Sequence, residues 1–175
     1  MSKAVMLSIR PKWCAKIIIG RKTMELRKSV PKLEVPFKCY IYCTLPKYPH
    51  EDFIATDYPR PQFYGGGKVI GEFVCDCVTP LYNVCMDNWK RLAGGLHNIE
   101  KELVNQACLT EAKLHTYAGG KNCFAWHISD LLIYDQPKGV DEFTRLRETK
   151  FGSEPVTIKR PPQSWCYVEA MKDGC

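Results

Sequence analysis

Residues 17–28, Ile-Ile-Ile-Gly-Arg-Lys-Thr-Met-Glu-Leu-Arg-Lys, constrain the fold more than any other stretch. An apolar helical ending runs into Gly20, and a strand pattern follows at once. In an extended chain alternate side chains share a face. Thr23, Glu25 and Arg27 therefore point one way, Met24 and Leu26 the other. A carboxylate and a guanidinium two residues apart, with Lys22 at the strand's mouth, form a compact set for binding or proton transfer. The plainer alternative is a solvated polar face. The rest of the chain reads as scaffold and rim for these groups.

Upstream, Val5, Leu7 and Ile9 alternate with Met6, Ser8 and Arg10 in a strand over 4–10. Pro11 suits the first turn of a helix, and Trp13/Ile17 and Cys14/Ile18 give the four-residue apolar spacing of a short helix over 12–19, capped by Gly20. Downstream, residues 37–44 and 68–79 have the aromatic and β-branched content of strands. Between them, 45–67 is a long irregular segment with four prolines, ending in Gly65-Gly66-Gly67. A loop of that length is uncommon unless it is a lid or a binding loop. Residues 84–118 turn helical in three pieces, around 86–92, 99–104 and 110–117, with Thr110 as N-cap and Gly119-Gly120 as the stop. Strands follow at 123–129 and 131–134. A polar stretch over 137–159 carries one short helical piece near 141–146. Arg160-Pro161-Pro162-Gln163 is rigid and extended, and a last strand covers 164–169.

This order lacks a regular βαβ rhythm. It implies an α+β domain over 4–169, built on a small, mostly antiparallel barrel or curved sheet with flanking helices, a long loop at 45–67 and a helical insertion at 84–118. A length of 175 residues suits one such domain. No apolar run is long enough to span a membrane, and the N-terminus lacks a signal-peptide core, so a cytoplasmic location is expected. The formal charge of +6 favours phosphate-bearing partners. Seven of the cations, Lys12, Lys16, Arg21, Lys22, Arg27, Lys28 and Lys32, fall around the 17–28 stretch. The ten cysteines read mainly as small buried hydrophobes. A zinc site from Cys39, Cys43, Cys75 and Cys77 departs from the usual ligand spacings, so neither a metal nor a cofactor is expected.

Set together, Met6-Leu-Ser-Ile-Arg-Pro, Trp13 to Gly20, and Arg21-Lys-Thr-Met-Glu-Leu-Arg27 resemble the N-terminal motif of ASCH domains, a branch of the PUA-like β-barrel superfamily. Val69-Ile-Gly-Glu-Phe73, Phe124-Ala-Trp-His-Ile-Ser129 and the helix before Gly119-Gly120 are similar to the same family. The closing Arg160-Pro-Pro-Gln-Ser-Trp-Cys-Tyr-Val168 looks like the tail of a subgroup found in Firmicutes and their phages. The resemblance implies a PUA-like barrel with a cleft between strands and the first helix, and RNA or modified bases as ligands. Some small bacterial members deacylate acetylcytidine with a Lys, a Thr and a Glu, and others are ribonucleases. On that template Lys22 matches the catalytic lysine. The threonine position falls at Met24, or at Glu25 with a shift, and the glutamate position falls near Asn105, where no carboxylate stands.

The ligand-binding candidates are Ser8, Arg10, Trp13, Lys22, Glu25, Arg27, Trp126, Gln163 and Ser164. Lys22 is a point charge for phosphate or, desolvated, a base. Glu25 accepts from base amino groups, and Arg27 presents a fork to phosphate or a base edge; a structural ion pair is the competing reading. Trp13 and Trp126 offer stacking surfaces or core packing. Trp126 and His127 point to opposite faces, so at most one of them lines a cleft. The expected activity is binding of RNA or a modified nucleotide, with DNA as the other polymer. Two alternatives stay open: a hydrolase on nucleosides or nucleic acid using Lys22 and Glu25 as catalytic residues, and a regulatory protein-interaction module.

Overall fold

Alternation along β1 (Lys3–Ile9) splits the protein into its layers. Val5, Leu7 and Ile9 enter a central cluster, while Ala4 and Met6 enter a second cluster on the opposite face. The same division repeats in β3 (Phe37–Cys43). There Phe37, Cys39, Ile41 and Cys43 face the central cluster, and Tyr40 and Tyr42 face the other. Both faces are apolar because both are covered. The computed structural model describes residues 2–45, 53–55, 62–81, 98–150 and 152–171.

The remaining strands are β2 (Met24–Arg27), β4 (Phe53–Ala55), β5 (Gln62–Tyr64), β6 (Lys68–Cys75), β7 (Val78–Leu81), β8 (Cys123–His127), β9 (Ser129–Lys138), β10 (Thr144–Thr149), β11 (Gly152–Thr157) and β12 (Trp165–Glu169). The helices are α1 (Pro11–Ile18), α2 (Asn98–Gln106) and α3 (Glu111–Ala118), with a 3-10 turn at Val140–Glu142. A five-stranded sheet has the order β12-β1-β3-β6-β9, and a three-stranded sheet the order β2-β8-β7. Pairing is antiparallel except between β1 and β3.

The fold is therefore a small, strand-rich α+β domain. Among the described residues the closed barrel expected from sequence is not formed; the strands make two main sheets and two separate hairpins. At the gap between β2 and β1 a side chain replaces the backbone ladder. The Arg27 guanidinium donates to the Ser8 carbonyl at 2.9 Å and to the Ser164 carbonyl at 3.1 Å. β2 has four residues, and its backbone ladder runs to β8.

Local sequence accounts for most boundaries. Pro11 opens α1, and the chain turns at Gly20 in the left-handed region (φ 72°), where a side chain would be strained. Thr110 caps α3 by accepting from the Lys113 amide, and Gly119 ends it. Gly71 of β6 has a different reason: a Cβ there would collide with the Leu132 carbonyl, beside the register shift that brings β9 close.

Four expectations change. The single strand expected over 68–79 is two, β6 and β7, in different sheets. The segment over 45–67 contains the β4–β5 hairpin and is not wholly irregular. The polar stretch over 137–159 holds more than the short helical piece expected near 141–146, whose counterpart is the 3-10 turn at Val140–Glu142. It forms the β10–β11 hairpin after the 3-10 turn, because Phe143 and Ile158 are buried against Tyr40 and the second cluster. Strand 131–134 extends over Ser129–Lys138. The helical piece expected around 86–92 lies outside the described residues.

Candidate functional site

β2 runs between two layers, and this decides the fate of its polar groups. Met24 and Leu26 pack with Leu103, Val104 and Ala107 around α2, and with Leu114 and Ala118 of α3. The opposite face carries Glu25 and Arg27. It is not solvated: Lys22, Glu25 and Arg27 are 4%, 8% and 6% exposed. Glu25 sits between the two cations, at 3.1 Å from Lys22 Nζ and 3.0 Å from Arg27. Each carboxylate oxygen thus holds one cation.

Lys22 is fixed from both sides. Its ammonium donates to the Met24 carbonyl at 2.6 Å and to the Ala107 carbonyl at 3.2 Å, just past the end of α2. A helix C-terminus carries partial negative charge, so it suits a buried ammonium. With Glu25, these contacts engage all three ammonium protons. Arg27 reaches Ser8 and both the carbonyl and the hydroxyl of Ser164, and its Nε is buried without a partner. The Ser8 hydroxyl donates to the Pro162 carbonyl and so anchors the closing segment to β1.

Above this chain of charges lies an open cleft of about 640 Å³. Of the nine residues expected from sequence, it brings eight together: Ser8, Arg10, Trp13, Lys22, Glu25, Arg27, Gln163 and Ser164. Trp126 is the exception. It is fully buried in the central cluster, edge-on to Phe37 at 5.5 Å and tilted against Trp165 at 6.2 Å. It pairs across the ladder with Glu25, so it supports the floor from within and lines no cleft wall. His127 points elsewhere and pairs with Asp76 at 2.6 Å on the surface.

The cleft also takes Lys12 from α1, and Leu109, Lys113 and Tyr117 from the α3 side. Lys113 and Tyr117 are four apart on a helix and so share a face, a signal present in the sequence. The Tyr117 hydroxyl donates to the Leu26 carbonyl at 3.1 Å. Burial pushes its ionisation above the ordinary tyrosine value, which keeps it a donor. Trp13 is half-buried, with the ammonium groups of Lys12, Lys16 and Lys22 at 5.0, 5.3 and 5.5 Å from its ring centre. Five cations and one carboxylate line the cleft, which makes it an anion-attracting hollow with aromatic walls.

The glutamate position implied by the resemblance, and the acids on either side of it in sequence, lie outside the cleft. Asn105 is exposed, and Glu102 is engaged with Gln106 at 3.1 Å. Neither these residues nor Glu111 lines the cleft. The zinc ligands considered from sequence are also dispersed. Cys39, Cys43 and Cys75 sit in the apolar central cluster, while Cys77 is exposed. Among the described residues no three metal-ligating groups gather. Burial pushes the Cys75 thiol up to about 12 and raises Cys14 and Cys39 as well, so these are inert packing groups.

This two-sheet α+β fold is similar to that of an ASCH protein of known structure. The chain superposes on the ASCH protein of Zymomonas mobilis with a TM-score of 0.50 and 18% identity, covering 95% of this chain and 87% of that one. A tyrosine-to-phenylalanine point variant of the same protein gives the same TM-score and identity over 96% of this chain and 91% of that one. A serine-to-alanine variant gives 0.50 and 18% over 95% and 88%. At this identity the likeness is one of fold. No protein-family model and no curated protein matches the sequence. Among the described residues no helix is long and apolar enough to cross a membrane.

Proposed function

We propose that this chain binds RNA, or a nucleotide unit of it, in the cleft over Lys22, Glu25 and Arg27. The observation that carries the reading is the buried Lys22–Glu25–Arg27 chain at the floor of a 640 Å³ hollow. A concavity of several hundred Å³ is of the size that holds a small ligand, and its mostly polar, cationic lining suits an anionic one. Trp13 and Tyr117 offer surfaces for a base, and Gln163 and Ser164 offer donors and acceptors for its edge. Arg10, Lys12 and Lys113 supply charge for phosphate. The ASCH fold of the neighbours and the PUA-like sequence motif favour the same ligand class. A cytoplasmic location and a relationship to the Firmicutes and phage subgroup belong to this proposal, the latter resting on the closing 160–168 motif.

The hydrolase alternative asks Lys22 or Glu25 to move a proton. Lys22 has its three protons engaged, and both Glu25 oxygens hold cations. Glu25 is also the only carboxylate lining the cleft among the described residues. A role in orientation and readout uses these groups as they stand, whereas catalysis requires breaking the cluster first. Binding is therefore the preferred reading. The test is fluorescence anisotropy with short RNA and DNA across a salt series. The logarithm of the RNA affinity is expected to fall linearly with the logarithm of salt; binding indifferent to salt, or none at all, would overturn it.

A further inference from the structure

We propose that a second hollow, centred on Arg145, Lys159 and Arg160, is a phosphate subsite that continues the cleft, so that the ligand is a strand of several nucleotides. The inference rests on the cleft reading above and extends it from one nucleotide to a polymer.

The hollow measures about 380 Å³ and lies between the β10–β11 hairpin and the closing segment. It is lined by those three cations and by no carboxylate. All three are exposed, and among the described residues none is in an ion pair. The neighbouring Arg147, two residues along β10, is instead neutralised by Glu154. Glu169, at the foot of the hairpin, accepts from the Thr144 hydroxyl and does not line the hollow. Such a group of uncompensated cations around a concavity is the footprint of a phosphate partner.

Its position favours nucleic acid over other phosphates. Pro162 lines the second hollow, and the next residue, Gln163, lines the cleft. Successive Cα atoms lie about 3.8 Å apart, so adjacent residues of the closing segment line the two concavities. That partition is held by the cleft itself, through the Ser8 hydroxyl on the Pro162 carbonyl and Arg27 on the Ser164 carbonyl. A strand whose base occupies the cleft meets three further cations as it crosses residues 160–164. The rigid Pro161-Pro162 pair keeps the crossing open without an ordering cost.

The experiment compares a fluorescent uridine dinucleotide with an octanucleotide, on wild type and on the Arg145→Gln/Arg160→Gln double variant, across salt. The dinucleotide, with a single internucleotide phosphate, sets the baseline. The octanucleotide is expected to bind wild type more tightly and with a steeper salt slope. Loss of two single-strand phosphate contacts lowers that slope by about 1.4, a difference of about sevenfold in affinity between roughly 50 and 200 mM salt. An octanucleotide no tighter than the dinucleotide, or a double variant that keeps the full slope, would overturn the proposal. So would a slope that is retained while the double variant loses binding to phosphatidylglycerol vesicles, which would assign the hollow to a membrane surface. Lys12→Gln/Lys113→Gln separates the two readings. Undiminished dinucleotide binding in that variant sinks the cleft reading, whereas the octanucleotide slope judges the second hollow.

Discussion

Two arginine–glutamate pairs in this protein use identical chemistry in opposite settings. Arg27 and Glu25 sit at 3.0 Å with side chains 8% and 10% exposed. Arg147 and Glu154 face each other across the β10–β11 hairpin with side chains 61% and 49% exposed. Water competes for every contact of the second pair and for almost none of the first. An exposed pair contributes little, whereas removing one member of a buried pair leaves an uncompensated charge. The cleft floor is thus a mutual commitment of three groups. Each is fixed in place by the others and by the carbonyls of Ser8, Met24, Ala107 and Ser164.

The largest expected effect is therefore at Glu25. Glu25→Ala leaves two buried cations facing each other and should cost about 3–5 kcal/mol, read as a drop in the urea midpoint. A loss under about 1 kcal/mol would show that water reaches the floor and would erase the contrast with the hairpin. Next comes Lys22→Met, which keeps the volume but leaves the Met24 and Ala107 carbonyls and one Glu25 oxygen without their donor. A loss of about 1–3 kcal/mol is expected, with weaker RNA binding in the same salt series.

The His127–Asp76 pair is intermediate in setting and should be small in effect. The hydrogen bond from His127 holds the Asp76 carboxyl below its ordinary value. Its stabilisation is thus present above the unfolded value near pH 3.9 and is lost as pH falls through the lower folded value. Asp76→Asn should lower stability by less than about 1 kcal/mol at neutral pH and flatten the acid end of the stability profile, measured by urea unfolding from neutral pH down to the acid limb. The smallest change belongs to Glu154→Gln: about 0–0.5 kcal/mol, vanishing in high salt. A larger, salt-resistant loss there would mean that the hairpin pair is not screened as its exposure requires.

Eight of the nine candidate residues were legible because three short motifs carry them: Ser8 and Arg10 on the first strand, Trp13 to Arg27 across the helix and second strand, and Gln163-Ser164 after the proline pair. Trp126 was misplaced for a definable reason. Alternation tells which face a residue shares, and Trp126 does share the face of Glu25. Alternation does not tell how deep along that face the central cluster reaches. The β10–β11 hairpin was missed because its strands are polar and include Pro155, while the residues that hold it down, Phe143 and Ile158, lie just outside the pairing.

Sequence alone determined the periods and stops: a proline opening α1, a left-handed glycine ending its turn, a threonine cap on α3, and two residue types alternating along β2. These depend on backbone sterics and near-neighbour hydrogen bonds, which a chain carries wherever it goes. Tertiary structure alone decided that the polar face of β2 is buried, that Arg27 bridges the two sheets through side-chain bonds to backbone carbonyls, and that Lys113 and Tyr117 join the cleft from a helix far along the chain. Burial and charge compensation depend on what the rest of the chain places opposite a group. No local pattern of residues contains that information.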